Sequence, residues 1–193
     1  MLLEKFKNSH IILASGSPRR QELLKSLGVD FTIKVKSIDE VYPSILKREE
    51  ITNYLAELKA AAFNDEIVQN DILITSDTIV WLHNKPLEKP LDSLHAKQML
   101  SELSGKTHEV ITSVCIKTLQ EVRTFFDVTE VNFKKLSSEE ITYYVDNFKP
   151  FDKAGAYGIQ EWIGFIGVES IKGSYFNVMG FPVHKIYEEL QKL

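Results

Sequence analysis

Cysteine is almost missing from this chain: 193 residues hold one, Cys115, set in an apolar run where it reads as a small core side chain. A lone thiol closes no internal disulfide, so the expectation is a reducing compartment and a cytoplasmic protein. Long apolar runs are missing too. The opening residues, MLLEKFKNSH, lack the apolar centre of a secretory signal, and no segment has the roughly 20 apolar residues that a membrane-spanning helix needs. Excess positive charge is absent: 23 Lys and Arg stand against 27 Asp and Glu, a net charge of -4. That balance argues against general nucleic-acid binding and leaves the basic residues to one local site.

Several motifs are absent as well. Neither a P-loop (GxxxxGKS or GxxxxGKT) nor a GxGxxG turn occurs, which excludes the commonest nucleotide signatures. The five histidines (His10, His83, His95, His108 and His184) are scattered without zinc-ligand spacing. Ser15 and Ser17 lack a GxSxG elbow, so their hydroxyls are assigned to hydrogen bonds with backbone or phosphate rather than to nucleophilic attack. There is no internal repeat, low-complexity linker or coiled-coil heptad.

What is present begins with a composition 44% hydrophobic and 26% charged, enough for a full core as one domain or two close lobes. Residues 11–28 organise the reading. Ile11, Ile12, Leu13 and Ala14 form a buried-strand run that breaks at Ser15-Gly16-Ser17. Ser17 then suits an N-cap, Pro18 the first helical position, and Gly28 the C′ position. Arg19 and Arg20 fall in the first turn, where each cation costs about 0.3–1 kcal/mol against the helix dipole. Two readings are open: a solvated Arg pair, or an anion pocket built from helix N–H groups and two guanidiniums and suited to a polyphosphate.

Further along, residues 30–38 alternate as a strand, and residues 49–63 form a helix with Ile51, Leu55, Leu58 and Ala62 on its apolar face. Lys59 lies beside that face, where a lysine ordinarily snorkels to water. Residues 72–82 read as a central strand that contains Asp77. This aspartate is either a turn cap with Ser76 and Thr78, or a metal ligand or general base at a strand's carboxyl end. Residues 84–90 read as a loop presenting Lys89, and a helix follows from Asp92-Ser93 to Gly105. Two antiparallel strand-like runs cover residues 109–118 and 121–134. A helix opens with the Ser137/Glu140 capping box, and an aperiodic Gly/Ala stretch follows at residues 151–160. A bulged strand is expected at residues 162–168, a Gly-bounded loop at 173–182 and an amphipathic helix at 183–193.

Glu40, Asp77, Arg19, Arg20, Lys59 and Lys89 remain as a set of hard carboxylates and cations, the former suited to Mg²⁺ or Mn²⁺. At this point the chain resembles the Maf family of nucleotide pyrophosphatases, once described as septum-formation inhibitors. LASGSPRRQELL, Asp39-Glu40, LAELKA, SDTIV, LEKP, LSGKTHEV, DKAGAYGIQ and GSYFNVMGFP stand in the family's order over nearly the whole chain. The resemblance implies an α/β fold of the Maf/ITPase-like type: a mixed central β-sheet flanked by helices, with two lobes around a cleft. It further implies one Maf-like domain over residues 1–193, commonly a homodimer, that hydrolyses a nucleoside triphosphate to the monophosphate and pyrophosphate with a divalent metal.

On that resemblance Asp77 is the proton acceptor, and Arg19, Thr78 and Gln160 select the substrate. Ser15, Arg20, Lys59 and Lys89 belong to the same substrate-binding site, and Glu40 with Asp77 would hold Mg²⁺ or Mn²⁺. The combination of SGSPRR, DT and AGAYGIQ looks like the branch acting on dTTP and UTP. Alternatives are a pyrophosphatase for another base, such as 7-methyl-GTP, or a non-catalytic regulator of division. Ser76, where alanine is usual, and Phe181, where leucine is usual, depart from the pattern without touching a charge.

Overall fold

The structure is a computed structural model that describes residues 2–193. Its helices are α1 (Leu2–Lys5), α2 (Pro18–Ser26), α3 (Glu49–Ala61), α4 (Ser93–Leu103), α5 (Ser138–Phe148), α6 (Trp162–Gly167), α7 (Tyr175–Val178) and α8 (Val183–Lys192). The strands are β1 (His10–Leu13), β2 (Thr32–Ile33), β3 (Asp71–Leu82), β4 (Lys85–Leu87), β5 (Thr107–Lys117), β6 (Val122–Phe133) and β7 (Val168–Lys172). They form one seven-stranded sheet in the order β2-β1-β3-β5-β6-β7, with β4 paired to β3. β1 runs parallel to β2 and β3, whereas β3–β4 and β6–β7 are antiparallel, so the sheet is mixed as expected. No helix of the described residues is long and apolar enough to cross a membrane.

The chain divides into two compact units. One comprises Met1–Asp77, Thr112–Asp127 and Gly180–Leu193; the other comprises Thr78–Ile111 and Val128–Met179. In the first, Ala56 and Ala60 of α3, with Phe63 just after it, pack on Ile12, Leu73 and Cys115 of the strands. Cys115 is the core residue its apolar neighbours suggest. In the second, α4 and α5 bury Ala96, Met99, Leu100, Leu103, Ile141, Tyr144 and Val145 with Val110, Val131 and Phe133.

Local chemistry explains most boundaries. Ser137 accepts from the Glu140 backbone N–H, and Glu140 Oε2 accepts from the Ser137 N–H at 2.8 Å, completing the capping box. Ser17 is the N-cap residue of α2 by backbone geometry, but its side chain makes no capping bond. Instead its N–H donates to Ser15 Oγ at 3.3 Å, and Gln21 Nε2 donates to the Ser15 carbonyl, so Ser15 shapes the turn.

Four expectations give way. The strand expected over residues 30–38 shrinks to the two residues of β2, because Ile33 and Val35 of this edge segment stay exposed with no layer to bury them. Residues 84–90 are not wholly loop: His83 (φ 50°) and Asn84 (φ 62°) both take the left-handed conformation of a two-residue hairpin turn, which pairs β4 with β3. Residues 173–182 contain the short α7, capped by Ser174 accepting from Asn177 N–H. Residues 162–167 form α6 rather than a bulged strand; Ile163, Gly164 and Gly167 are buried at helical spacing. Gly164 makes that helix possible, since a Cβ there would lie 1.9 Å from the Ile159 carbonyl oxygen. Gly164→Ala is therefore expected to destabilise the protein by at least about 1–3 kcal/mol, the range for overpacking. An unchanged urea midpoint would show that α6 does not press on residues 154–161.

Candidate active site

Two periodicities bring the charges of the first unit together. Along β3, residues 73, 75 and 77 share one face. Leu73 packs against Ala56 and Ala60, Thr75 Oγ1 donates to the Ala56 carbonyl at 2.6 Å, and Asp77 meets Lys59. On α3, Lys59 stands three residues after Ala56, on the same side of the helix. The result is an ion pair, Lys59 Nζ to Asp77 Oδ1 at 2.6 Å, that continues to Glu40 Oε1 at 3.2 Å. Lys59 therefore does not snorkel to water; its side chain is 16% exposed and Asp77's is 9%.

Asp77 is not at a strand's carboxyl end, as its sequence context suggested, but inside the continuous β3. Its partner strand β1 stops earlier, at Leu13, which pairs with Ile74, so Asp77 lies just beyond the end of the parallel pair. Burial pushes its carboxyl above the usual range, while the Lys59 ammonium and the Arg20 guanidinium pull it back. Arg20 donates from Nη1 to the Ser76 carbonyl at 2.8 Å and from Nε to the Gly180 carbonyl at 2.9 Å. Burial lowers its pKa to about 10, with Arg19 adding to the fall and Asp77 opposing it. Arg20 is thus not a solvated helix-face residue but a strut from α2 to β3 and to the turn before α8. Ser76 alternates with Asp77 along β3, so its side chain points to the opposite face.

Among the described residues no three His, Cys, Asp or Glu side chains gather to hold a metal by themselves. Asp77 and Glu40 nevertheless share one cation, the Lys59 ammonium, and two carboxylates completed by substrate phosphate oxygens are a donor set that Mg²⁺ accepts. The residues fit such an ion.

The second unit carries Thr78, Lys89 and Gln160. The loops of the last two are tied, for the Gly155 N–H donates to the Glu88 carbonyl at 3.1 Å, next to Lys89. Gly155 itself has φ +66°, and a Cβ on it would stand 2.7 Å from Val80 Cγ2, so the loop runs hard against β3. A polar group that sequence reasoning missed adjoins Gln160: the buried Lys153 and Tyr144 and the part-buried Glu161, joined by a hydrogen bond and an ion pair. Their only sequence signal was a lysine among small residues in DKAGAYGIQ, which left its partners open.

A family model described as Maf-like protein matches residues 10–193. A dTTP/UTP pyrophosphatase of Flavobacterium psychrophilum is 58% identical over 187 residues, covering 97% of this chain and 96% of the relative. One of Flavobacterium johnsoniae, with the same name, is 58% identical over the full length of both chains (100% of each). Among solved structures, the Staphylococcus aureus Ham1 protein superposes with a TM-score of 0.51 at 14% identity, covering 94% of this chain and 100% of its own, which shows the shared fold.

Lys59→Met removes the main cation facing a buried carboxylate and is expected to cost on the order of 3 kcal/mol of unfolding free energy. Adding Asp77→Asn to it should return part of that loss in urea melts; a double variant no more stable than Lys59→Met would mean the two side chains are uncoupled.

Proposed function

Because the chain belongs to the Maf family, we propose that it hydrolyses dTTP and UTP to the monophosphate and pyrophosphate, residues 1–193 acting as one catalytic domain. The observation that carries this reading is the acid–lysine–acid cluster of Asp77, Lys59 and Glu40, with the Arg20 guanidinium beside it. High-identity relatives bearing that activity in their names support the substrate class.

Water attacks the α-phosphorus, its proton passes to the Asp77 carboxylate, and the bond from the α-phosphorus to the bridging oxygen breaks as pyrophosphate leaves. Asp77 suits proton acceptance because burial raises its basicity while Lys59 and Arg20 keep the ionised form accessible. Lys59, Arg19, Arg20 and Lys89 supply positive charge to the triphosphate and to the departing pyrophosphate. Ser15, folded into the turn that opens α2, sets where the helix N–H groups of that turn point. Thr78 and Gln160 read the nucleoside; the Gln160 carboxamide offers a donor and an acceptor, the complement of a uracil or thymine edge. Mg²⁺ or Mn²⁺ held by Glu40 and Asp77 would neutralise charge on the phosphate oxygens. A homodimer in a cytoplasmic setting completes the proposal, with the family resemblance and the lone buried Cys115 as its support.

Pyrophosphate release from a panel of nucleoside triphosphates, with Mg²⁺ and with chelator, tests this directly. dTTP and UTP should be turned over fastest and chelation should abolish turnover; a preference for a purine or for 7-methyl-GTP would overturn the assignment. Asp77→Asn is expected to lower kcat by about 10²–10⁴-fold, the usual worth of a general base, with the fold intact by circular dichroism. A folded variant with full activity would make Asp77 structural. Arg20→Ala should raise KM for dTTP by about 10- to 100-fold, the scale of a lost hydrogen bond to a phosphate, and also lower the urea midpoint by removing the strut to Ser76 and Gly180. Unchanged kinetics would limit Arg20 to the strut.

A further inference from the structure

The polar group beside Gln160 has no part in the chemistry described so far. Lys153, 8% exposed, places Nζ 2.7 Å from Asp152 Oδ1 and 3.1 Å from Glu161 Oε1. Tyr144 of α5, fully buried, donates its hydroxyl to Glu161 Oε2, and the same hydroxyl accepts the Gly158 N–H at 3.0 Å. The Glu161 N–H in turn donates to the Gly158 carbonyl at 3.0 Å, which closes a tight turn around Ile159 and Gln160. A Cβ built on Gly158 would meet Glu161 Cδ at 2.8 Å, and both Gln160 Nε2 and Glu161 Oε1 at 3.1 Å. The Gln160 carboxamide and the Glu161 carboxylate therefore lie over the same face of Gly158, in space that only glycine leaves open.

A buried lysine contributes little net stability even when paired, so Lys153 held on a part-buried Glu161, with a tyrosine on that carboxylate's second oxygen, calls for another reason. The segment it holds has no regular strand and two consecutive left-handed residues, Gly155 and Ala156. Each residue of such a segment left loose gains about 1–2 kcal/mol of conformational entropy, so an untethered carboxamide would spread over many orientations. We propose that Glu161, gripped by Lys153 and Tyr144, is a positioning residue that fixes the Gln160 carboxamide and so sets selectivity among nucleobases. This rests on the reading above, in which Gln160 contacts the base.

The test measures kcat and KM for dTTP and for dATP in Glu161→Gln, Tyr144→Phe and Gln160→Ala. Glu161→Gln removes the charge facing Lys153, and Tyr144→Phe removes one hydroxyl at nearly constant volume. Both should raise KM for dTTP and lower the dTTP-to-dATP ratio of kcat/KM by about 10- to 100-fold, the scale of an ångström-sized misplacement, with kcat changed far less. In a Gln160→Ala background, Glu161→Gln should leave the ratio where Gln160→Ala put it, because its effect passes through that side chain. If Gln160→Ala shifts the ratio but neither Glu161→Gln nor Tyr144→Phe does, even with a lowered Tm, the network is structural and the inference fails. An unshifted ratio in Gln160→Ala would remove base reading by Gln160, and the inference falls with it.

Discussion

The Lys59 ammonium between Asp77 and Glu40 is the contact on which the candidate site depends. A carboxylate in the middle of a buried strand is expensive, by several kcal/mol, unless a cation meets it. β3 carries Asp77 through that buried position because α3 delivers Lys59 to the same face, and Arg20 holds the backbone beside it through Ser76. The packing of Leu73 on Ala56 and Ala60 fixes the register that makes this meeting possible. Hydrophobic burial thus sets the geometry, and the ion pair makes the geometry tolerable for a charge. A buried carboxylate next to concentrated positive charge is the consequence.

The second unit solves a different problem. Lys89 and Gln160 sit on irregular backbone, at residues 88–92 and 157–161, where helix or sheet hydrogen bonds do not define side-chain direction. Close packing replaces them. Gly155 runs against Val80, Gly164 against the Ile159 carbonyl, and Gly158 under Glu161 and Gln160. Each is a place where one added carbon would displace neighbours. Directional bonds from Tyr144 and Lys153 then orient what the packing has only confined. Nearby, Asn177 donates to the Val110 carbonyl and to Thr129 Oγ1, both at 3.0 Å, anchoring α7 to β5 and β6 in the same manner.

The residues whose roles were legible in sequence are those with local causes. Ser137 and Glu140 lie three apart and cap each other, Pro18 and Gly28 bracket α2, and the run at residues 72–82 is long enough to be a strand without help. Several of the misjudged elements turned on their tertiary surroundings. Lys59 beside an apolar stripe snorkels unless an acid stands opposite, and Asp77 lies 18 residues away. α6 looked like a strand because its glycines weaken helix propensity, and only the Ile159 carbonyl explains Gly164. The alternation of residues 30–38 was real, yet without a covering layer it produced two paired residues.

Sequence by itself determined the main helices and central strands, the Ser137/Glu140 cap, the absence of a disulfide framework, and the presence of a carboxylate and cation set whose motifs resemble one enzyme family. These follow from interactions a few residues apart, or from composition. Tertiary structure alone decided that Lys59 belongs to Asp77 and Glu40, that Arg20 is a strut, and that Glu161 is gripped by Lys153 and Tyr144. The physical reason is that a buried charge chooses its partner by spatial proximity in a medium without water, and that proximity is set by how helices and strands pack, not by spacing along the chain.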